Sequence, residues 1–157
     1  MAVRSSLDLD SDPGSIIGIR EFDAPRDLAF AAWTDLEHLA QWWGPNGFTT
    51  TTHSFDFRPG GVWRFVMHGP DGRDYQNRIT FEEIVAPERI VRTYFGTDAD
   101  GNPTGPETLL TVTLEDLGSR TKLTLHQAAF ESVAARDAHR GGWSSALDKL
   151  SEYVKLL

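Results

Sequence analysis

The sequence predicts an α+β fold: one antiparallel sheet of about seven strands, a long C-terminal helix that covers it, and two short helices after the first strand. Three observations support this. Between Thr49 and Phe130, apolar and polar residues alternate at period 2 in short runs separated by turn residues. From Trp143 onward the period changes. Trp143, Leu147, Leu150, Val154 and Leu157 follow one another at spacings of 4, 3, 4 and 3, an apolar stripe along one helix face. Between the first strand-like run and Thr49, "APRDLAFAAWTDLEHLAQWW" carries helical spacing. A single antiparallel sheet has one face to bury, and here only the helices can cover it.

In chain order, residues 1–14 are polar and acidic and read as a mobile tail, with one domain over residues 15–157. "SIIGIREFD" is rich in β-branched residues and predicts a strand from Ser15 to Asp23. Pro25 suits the first position of a helix, and Asp35 suits the cap of a second one that ends at Trp43. Gly44-Pro45 stops that helix. Adjacent helical residues point about 100° apart, so Trp42 and Trp43 cannot share a face. On a continuous helix Leu36, Leu39 and Trp43 form the stripe, which makes Trp43 the buried member of the pair. A break at Ala40 would exchange the two roles.

Six strands follow. "TTTTHSFDF" ends at "RPGG", "VWRFVMH" ends at the hairpin signature "GPDG", and "RDYQNRITFEEIV" ends at Ala86-Pro87. "ERIVRTYFG" precedes a polar loop, "TDADGNPTGP". "ETLLTVTLEDL" and "RTKLTLHQAAF" join through Gly118-Ser119. Gly141-Gly142, just before Trp143, predicts a break between a short helix and the terminal one, ahead of the other reading, a close approach of the helix to the sheet or room for a bound molecule.

Large apolar residues assign the inner faces. They group His53 with Phe55 and Phe57, Trp63 with Phe65 and Met67, and Tyr75 with Asn77, Ile79 and Phe81. Leu110, Val112 and Leu114 share a face, as do Leu123, Leu125 and Gln127. The strand Glu88–Gly96 has two competing faces, Ile90/Arg92/Tyr94 and Val91/Thr93/Phe95. His53, Asn77 and Gln127 are polar on otherwise apolar faces. A buried polar group without a partner costs roughly 1–3 kcal/mol. They therefore either meet backbone or water near strand ends or line a cavity and orient a ligand.

Composition narrows the function. With 23 acidic and 15 basic residues, the net charge is −8, and no Lys/Arg cluster occurs. Nucleic acid and anionic membrane are therefore not expected partners. The absence of cysteine rules out disulfides, thiolate catalysis and Cys-based zinc sites. The N-terminus has no apolar core of a secretory signal, and no run is long enough to span a membrane, so a cytoplasmic location is expected. The histidines form no metal motif, and no nucleophile elbow or phosphate loop is present. "DADGNP" begins like a calcium-binding loop but has Pro103 and Leu109 where Gly and Glu are required. No metal, cofactor or catalytic residue is assigned.

Five blocks, "FDAPRDLAFAAWTDLEHLAQWWGPNGFT", "RPGGVWRFVMHGPDG", "EEIVAPERIVRTYF", "TKLTLHQAAF" and "GWSSALDKLSEYV", resemble the family of stand-alone domains similar to the activator of Hsp90 ATPase. That family lies within the START and Bet v 1-like superfamily of lipid-binding domains. The resemblance runs from Ile16 to Tyr153. It implies a helix-grip fold, in which the sheet curves around the C-terminal helix and leaves an elongated apolar cavity. It also implies that one tryptophan of the pair sits at the turn beside the cavity mouth. Where relatives commonly carry a small residue this chain has Arg78, which strand parity turns outward. The co-chaperone that gives the family its name carries a further N-terminal domain that makes the main chaperone contact. No counterpart is recognised here, so ligand binding ranks ahead of the co-chaperone role.

The leading expectation is thus a carrier or sensor of a small apolar or aromatic molecule. Its contact set combines aromatic walls (Trp43, Phe55, Trp63, Phe65, Tyr75, Tyr94 and Trp143) with Leu147 and the polar His53, Asn77 and Gln127. A cyclase- or aromatase-like enzyme using the same cavity is the second reading, with His53 or Tyr75 as the acid–base group. A chaperone and a second copy of the chain are further partner classes.

Overall fold

The structure is a computed structural model and describes residues 5–8, 14–128, 130 and 132–157. Its strands are β1 (Ser5–Asp8), β2 (Ser15–Phe22), β3 (Thr49–Phe55), β4 (Val62–His68), β5 (Asp74–Val85), β6 (Arg89–Thr97), β7 (Thr108–Asp116) and β8 (Thr121–Ala128). Helices α1 (Arg26–Thr34) and α2 (Leu36–Trp42) follow β2, and α3 (Val133–Val154) closes the chain. The sheet order is β1-β2-β8-β7-β6-β5-β4-β3, antiparallel throughout. Seven of these strands are those expected; β1, within the expected tail, adds an eighth at the edge beside β2. The rest of that tail, apart from Gly14, lies outside the described residues.

This is the helix-grip arrangement. Bulges in β3 and β5 bend the sheet, and α3 lies against its concave face with Ala146, Leu147, Leu150 and Val154 buried. The expected stripe therefore holds as far as Val154. Leu157 falls beyond the helix and is 44% exposed. Arg20 of β2 pairs with Asp148 at 2.9 Å, and His38 Nδ1 lies 2.6 Å from the Tyr153 hydroxyl, so α3 is tied to both the sheet and α2.

Local signals explain most element ends. Asp35 accepts from the Glu37 amide at 2.9 Å and caps α2, as its position predicts. Ser132 caps α3 through the Ala135 amide at 3.1 Å. The glycine pair does not break the chain as expected: α3 runs unbroken for 22 residues through Gly141 and Gly142. Two glycines weaken a helix by roughly 2 kcal/mol, less than the packing of its apolar face supplies.

Candidate functional site

The space between α3 and the sheet is divided by the turn that follows α2. This helix ends at Trp42, and Trp43 already has extended backbone (φ −65°, ψ 129°). The two indoles therefore diverge. Trp42 is fully buried beside Trp33, ring centres 4.8 Å apart, and its Nε1–H donates to the Ala32 carbonyl at 2.8 Å. Trp43 meets Trp42 edge-on, ring centres 5.4 Å apart, and extends toward Trp63, Phe65 and Trp143, at 5.2, 6.0 and 5.6 Å. The expected roles are thus exchanged. The helical stripe ends at Leu39 and Trp42, because α2 stops before it can place Trp43 on the same face.

Gly44 makes the turn possible. Its φ of +97° is a left-handed conformation that disfavours a side chain, and a Cβ there would also reach 3.4 Å from Phe48 Cβ and 3.5 Å from Met67 Sδ. The next residues are fixed to α3. Lys149 Nζ donates to the Pro45 carbonyl at 3.2 Å, and the Asn46 amide donates to Ser145 Oγ at 2.7 Å.

Beyond Trp43 lies a cavity. Its inner chamber, about 230 Å³, is walled on the sheet side by Phe65, Met67, Ile79, Arg92, Tyr94, Leu110 and Gln127, and on the helix side by Ala138, His139, Gly142, Trp143 and Ala146. An outer recess of about 690 Å³ shares Pro45, Met67, Tyr94 and His139 with the chamber. It reaches the surface at Tyr75 and at the β6–β7 loop, where Asp98, Ala99, Thr104, Gly105 and Pro106 form the rim.

The polar groups of these walls are mostly paired with one another. Tyr94 donates its hydroxyl to Asn77 Oδ1 at 2.6 Å, and Asn77 Nδ2 donates to the Tyr75 carbonyl at 2.8 Å. Burial pushes the Tyr94 phenol up to about 12, so it remains a donor. Gln127 Nε2 donates to Thr108 Oγ1, and Trp143 Nε1–H donates to Gln127 Oε1, both at 2.8 Å. His139 Nδ1 lies 2.9 Å from the Ala135 carbonyl and donates to it, which leaves Nε2 as the acceptor of the neutral ring.

Arg92 is different. Its side chain is buried, its guanidinium carbon lies 5.0 Å from the Trp43 ring centre and 5.5 Å from that of Trp33, and its Nε and Nη2 have no hydrogen-bond partner. No ion pair to Arg92 occurs among the described residues. Desolvation pushes its pKa down to about 9, so it is still charged at neutral pH. The Nε1–H groups of Trp43 and Trp33 are likewise buried without acceptors.

Of the residues expected to contact a ligand, Trp43, Phe65, Tyr94, Gln127 and Trp143 lie in the chamber wall, and Tyr75 and Asn77 in the recess. Phe55, Trp63 and Leu147 belong to the packed core and line neither space. His53 is exposed, which corrects its assignment to the inner face. It is the extra residue of the β3 bulge, where the register shifts between Thr52 and Ser54 and places Thr52 and Phe55, three apart, opposite Phe65 and Trp63. Sequence reasoning missed His139, the β6–β7 loop as a rim, and Arg92. For Arg92 the signal lay in the neighbouring strands. It pairs with Phe81 and Leu110, both already assigned inward, and directly opposed residues share a face. Arg78 lies on the opposite face beside Phe95, outside both spaces, as parity implies.

Among the described residues no three His, Asp or Glu side chains come together in a metal-binding arrangement, and no helix is long and apolar enough to cross a membrane. The sequence profile described as activator of Hsp90 ATPase homolog 1-like protein matches residues 23–155. No curated protein matches the chain in sequence. Among solved structures, a protein of Arthrobacter aurescens is similar at 30% identity and a TM-score of 0.88, covering 97% of this chain and 92% of the other. A protein of Chromobacterium violaceum matches at 26% identity and a TM-score of 0.83, covering 91% and 98%. An AHSA1 protein of Silicibacter pomeroyi matches at 26% identity and a TM-score of 0.80, covering 90% and 98%.

Proposed function

This chain belongs to the activator of Hsp90 ATPase homolog 1-like family, and we propose from that premise that it binds a small, largely apolar molecule between sheet and C-terminal helix, as a carrier or sensor. One observation carries this reading. A chamber with apolar walls and a few convergent polar groups lies where a core would otherwise close. Its volume, about 230 Å³, is below the roughly 300–1,000 Å³ of drug-sized pockets and favours a ligand of one or two rings or a short chain. The acid–base candidates of the enzyme reading do not support it. His53 is exposed on β3, and Tyr75, 41% exposed, stands at the rim of the recess.

Thermal denaturation with 2-naphthalenemethanol or 1-decanol tests the proposal. A ligand present at a hundredfold its dissociation constant adds about 2.7 kcal/mol to stability. For a chain of this size that is a rise of about 5–10 °C in Tm. No rise with either probe, together with no small molecule extracted from the purified protein, would reject the reading. Stimulation of Hsp90 ATPase by the chain in the absence of any ligand response would put the co-chaperone role in its place.

A further inference from the structure

The ligand class can be read from the hydrogen-bond balance of the inner chamber. Gln127 and Asn77 already accept from Trp143 and Tyr94, which leaves His139 Nε2 as the remaining side-chain acceptor among these wall residues. The donors are not all used. Arg92 lines the chamber without a counter-ion, and its Nε and Nη2, packed behind the chamber surface, have no acceptor; the Nε1–H of Trp43, packed away in the same manner, has none either. Both residues line the chamber. No Asp or Glu does, so nothing in its wall balances the guanidinium charge.

The nearness of Arg92 to the Trp43 and Trp33 rings does not resolve this. An aromatic ring attracts the cation, but the N–H groups of a guanidinium still require hydrogen-bond acceptors. A charge buried without a partner is among the costliest arrangements in a folded interior. Two aspartates border the outer recess, but their carboxylates are engaged elsewhere. Asp74 Oδ1 lies 2.7 Å from His68 Nδ1, and Asp98 Oδ1 accepts from the Asp100 and Asn102 amides, both at 2.9 Å.

We propose that the ligand is a small organic acid whose carboxylate meets Arg92 and whose apolar body rests against Phe65, Ile79, Leu110 and Trp143. This rests on the cavity being a ligand site. A carboxylate supplies only acceptors, carries the opposite charge and can take two parallel N–H bonds from a guanidinium edge. An alcohol of the same shape supplies neither charge nor two acceptor oxygens.

The test uses matched probes on the full chain at pH 7.5: 2-naphthoic acid against 2-naphthalenemethanol, and decanoic acid against 1-decanol, by calorimetric titration. At least one acid should bind tenfold or more tightly than its alcohol. Arg92→Gln should remove that preference by weakening the acid at least tenfold more than the alcohol, and Arg92→Lys should keep part of it. Trp43→Phe, which retains a ring and loses the N–H, should weaken the acid two- to fivefold more than the alcohol. Should Arg92→Gln fail to fold, the wild-type pairs and Trp43→Phe still decide. Alcohols binding as tightly as their acids would overturn the acid proposal and leave the ligand site standing. No binding by any of the four would reject both.

Discussion

The two ends of the space between sheet and helix are built from the same kind of side chain to opposite effect. Beneath α1 and α2, Trp33 meets Trp42, and Phe30, Phe55, Phe57, Trp63 and Phe81 meet one another, with centres 4.8–6.2 Å apart in the pairs Trp33–Trp42, Phe30–Phe57, Phe55–Trp63 and Phe57–Phe81; Trp43 joins the two groups. Two of the three indoles there are satisfied, Trp42 by the Ala32 carbonyl and Trp63 by Thr52 Oγ1. At the other end Trp43, Trp143 and Tyr94 line the chamber beside Arg92, whose buried Nε and Nη2 have no acceptor. The difference lies in polar bookkeeping more than in ring content. Cores pair their buried polar atoms, and the end that leaves a cation's donors unpaired is the one suited to receive a partner from outside.

That contrast can be broken in order of effect. Trp42→Ala should cost about 3–5 kcal/mol, since it removes a fully buried ring and leaves the Ala32 carbonyl without its donor. Denaturant unfolding measures this, and a loss below 1 kcal/mol would place Trp42 outside the core. Leu150→Ala, in the middle of the stripe and 1% exposed, should cost about 2–5 kcal/mol in the same assay. Trp43→Ala should cost less, about 1–2 kcal/mol, because its ring is only partly buried and borders empty volume. Its effect should appear instead as weaker probe binding by calorimetry. Equal stability losses at 42 and 43 with unchanged binding would make the tryptophan pair purely structural. The smallest effect concerns the glycine pair. Gly141→Ala meets nothing within 4 Å and should stabilise α3 by up to about 1 kcal/mol without touching binding. Gly142→Ala, whose Cβ would sit 3.5 Å from Pro45 Cγ, should gain similar helix stability but weaken probe binding from the chamber wall.

Much of the fold was legible because alternation survives wherever strands are regular. The inner faces of β4, β5, β7 and β8 are those that period 2 assigns, down to the polar Asn77 and Gln127, both buried and hydrogen-bonded as such positions require. The site was less legible, and each miss has a local cause. The β3 bulge inserts one residue and turns His53 outward. A helix that ends one residue early reverses the tryptophans. Gly141-Gly142 looks like a break because propensity is local, whereas the packing of Leu147, Leu150 and Val154 against the rest of the fold is not. Alternation alone leaves Arg92 undecided, because a buried arginine runs against the usual distribution of charged residues. Only its pairing with Leu110 and Phe81 reveals its direction.

The five indole N–H resonances provide the most direct measurement, since Trp43 and Trp143 line the chamber and the other three tryptophans do not. In a ¹H–¹⁵N correlation spectrum titrated with 2-naphthoic acid, the Nε1–H signals of Trp43 and Trp143 should move progressively to saturation. Those of Trp42 and Trp63, held by Ala32 and Thr52 in the packed end, should stay in place. Saturation that shifts Trp42 and Trp63 while Trp43 and Trp143 remain fixed, or that moves none of the five, would contradict the division of this interior into a core and a binding chamber.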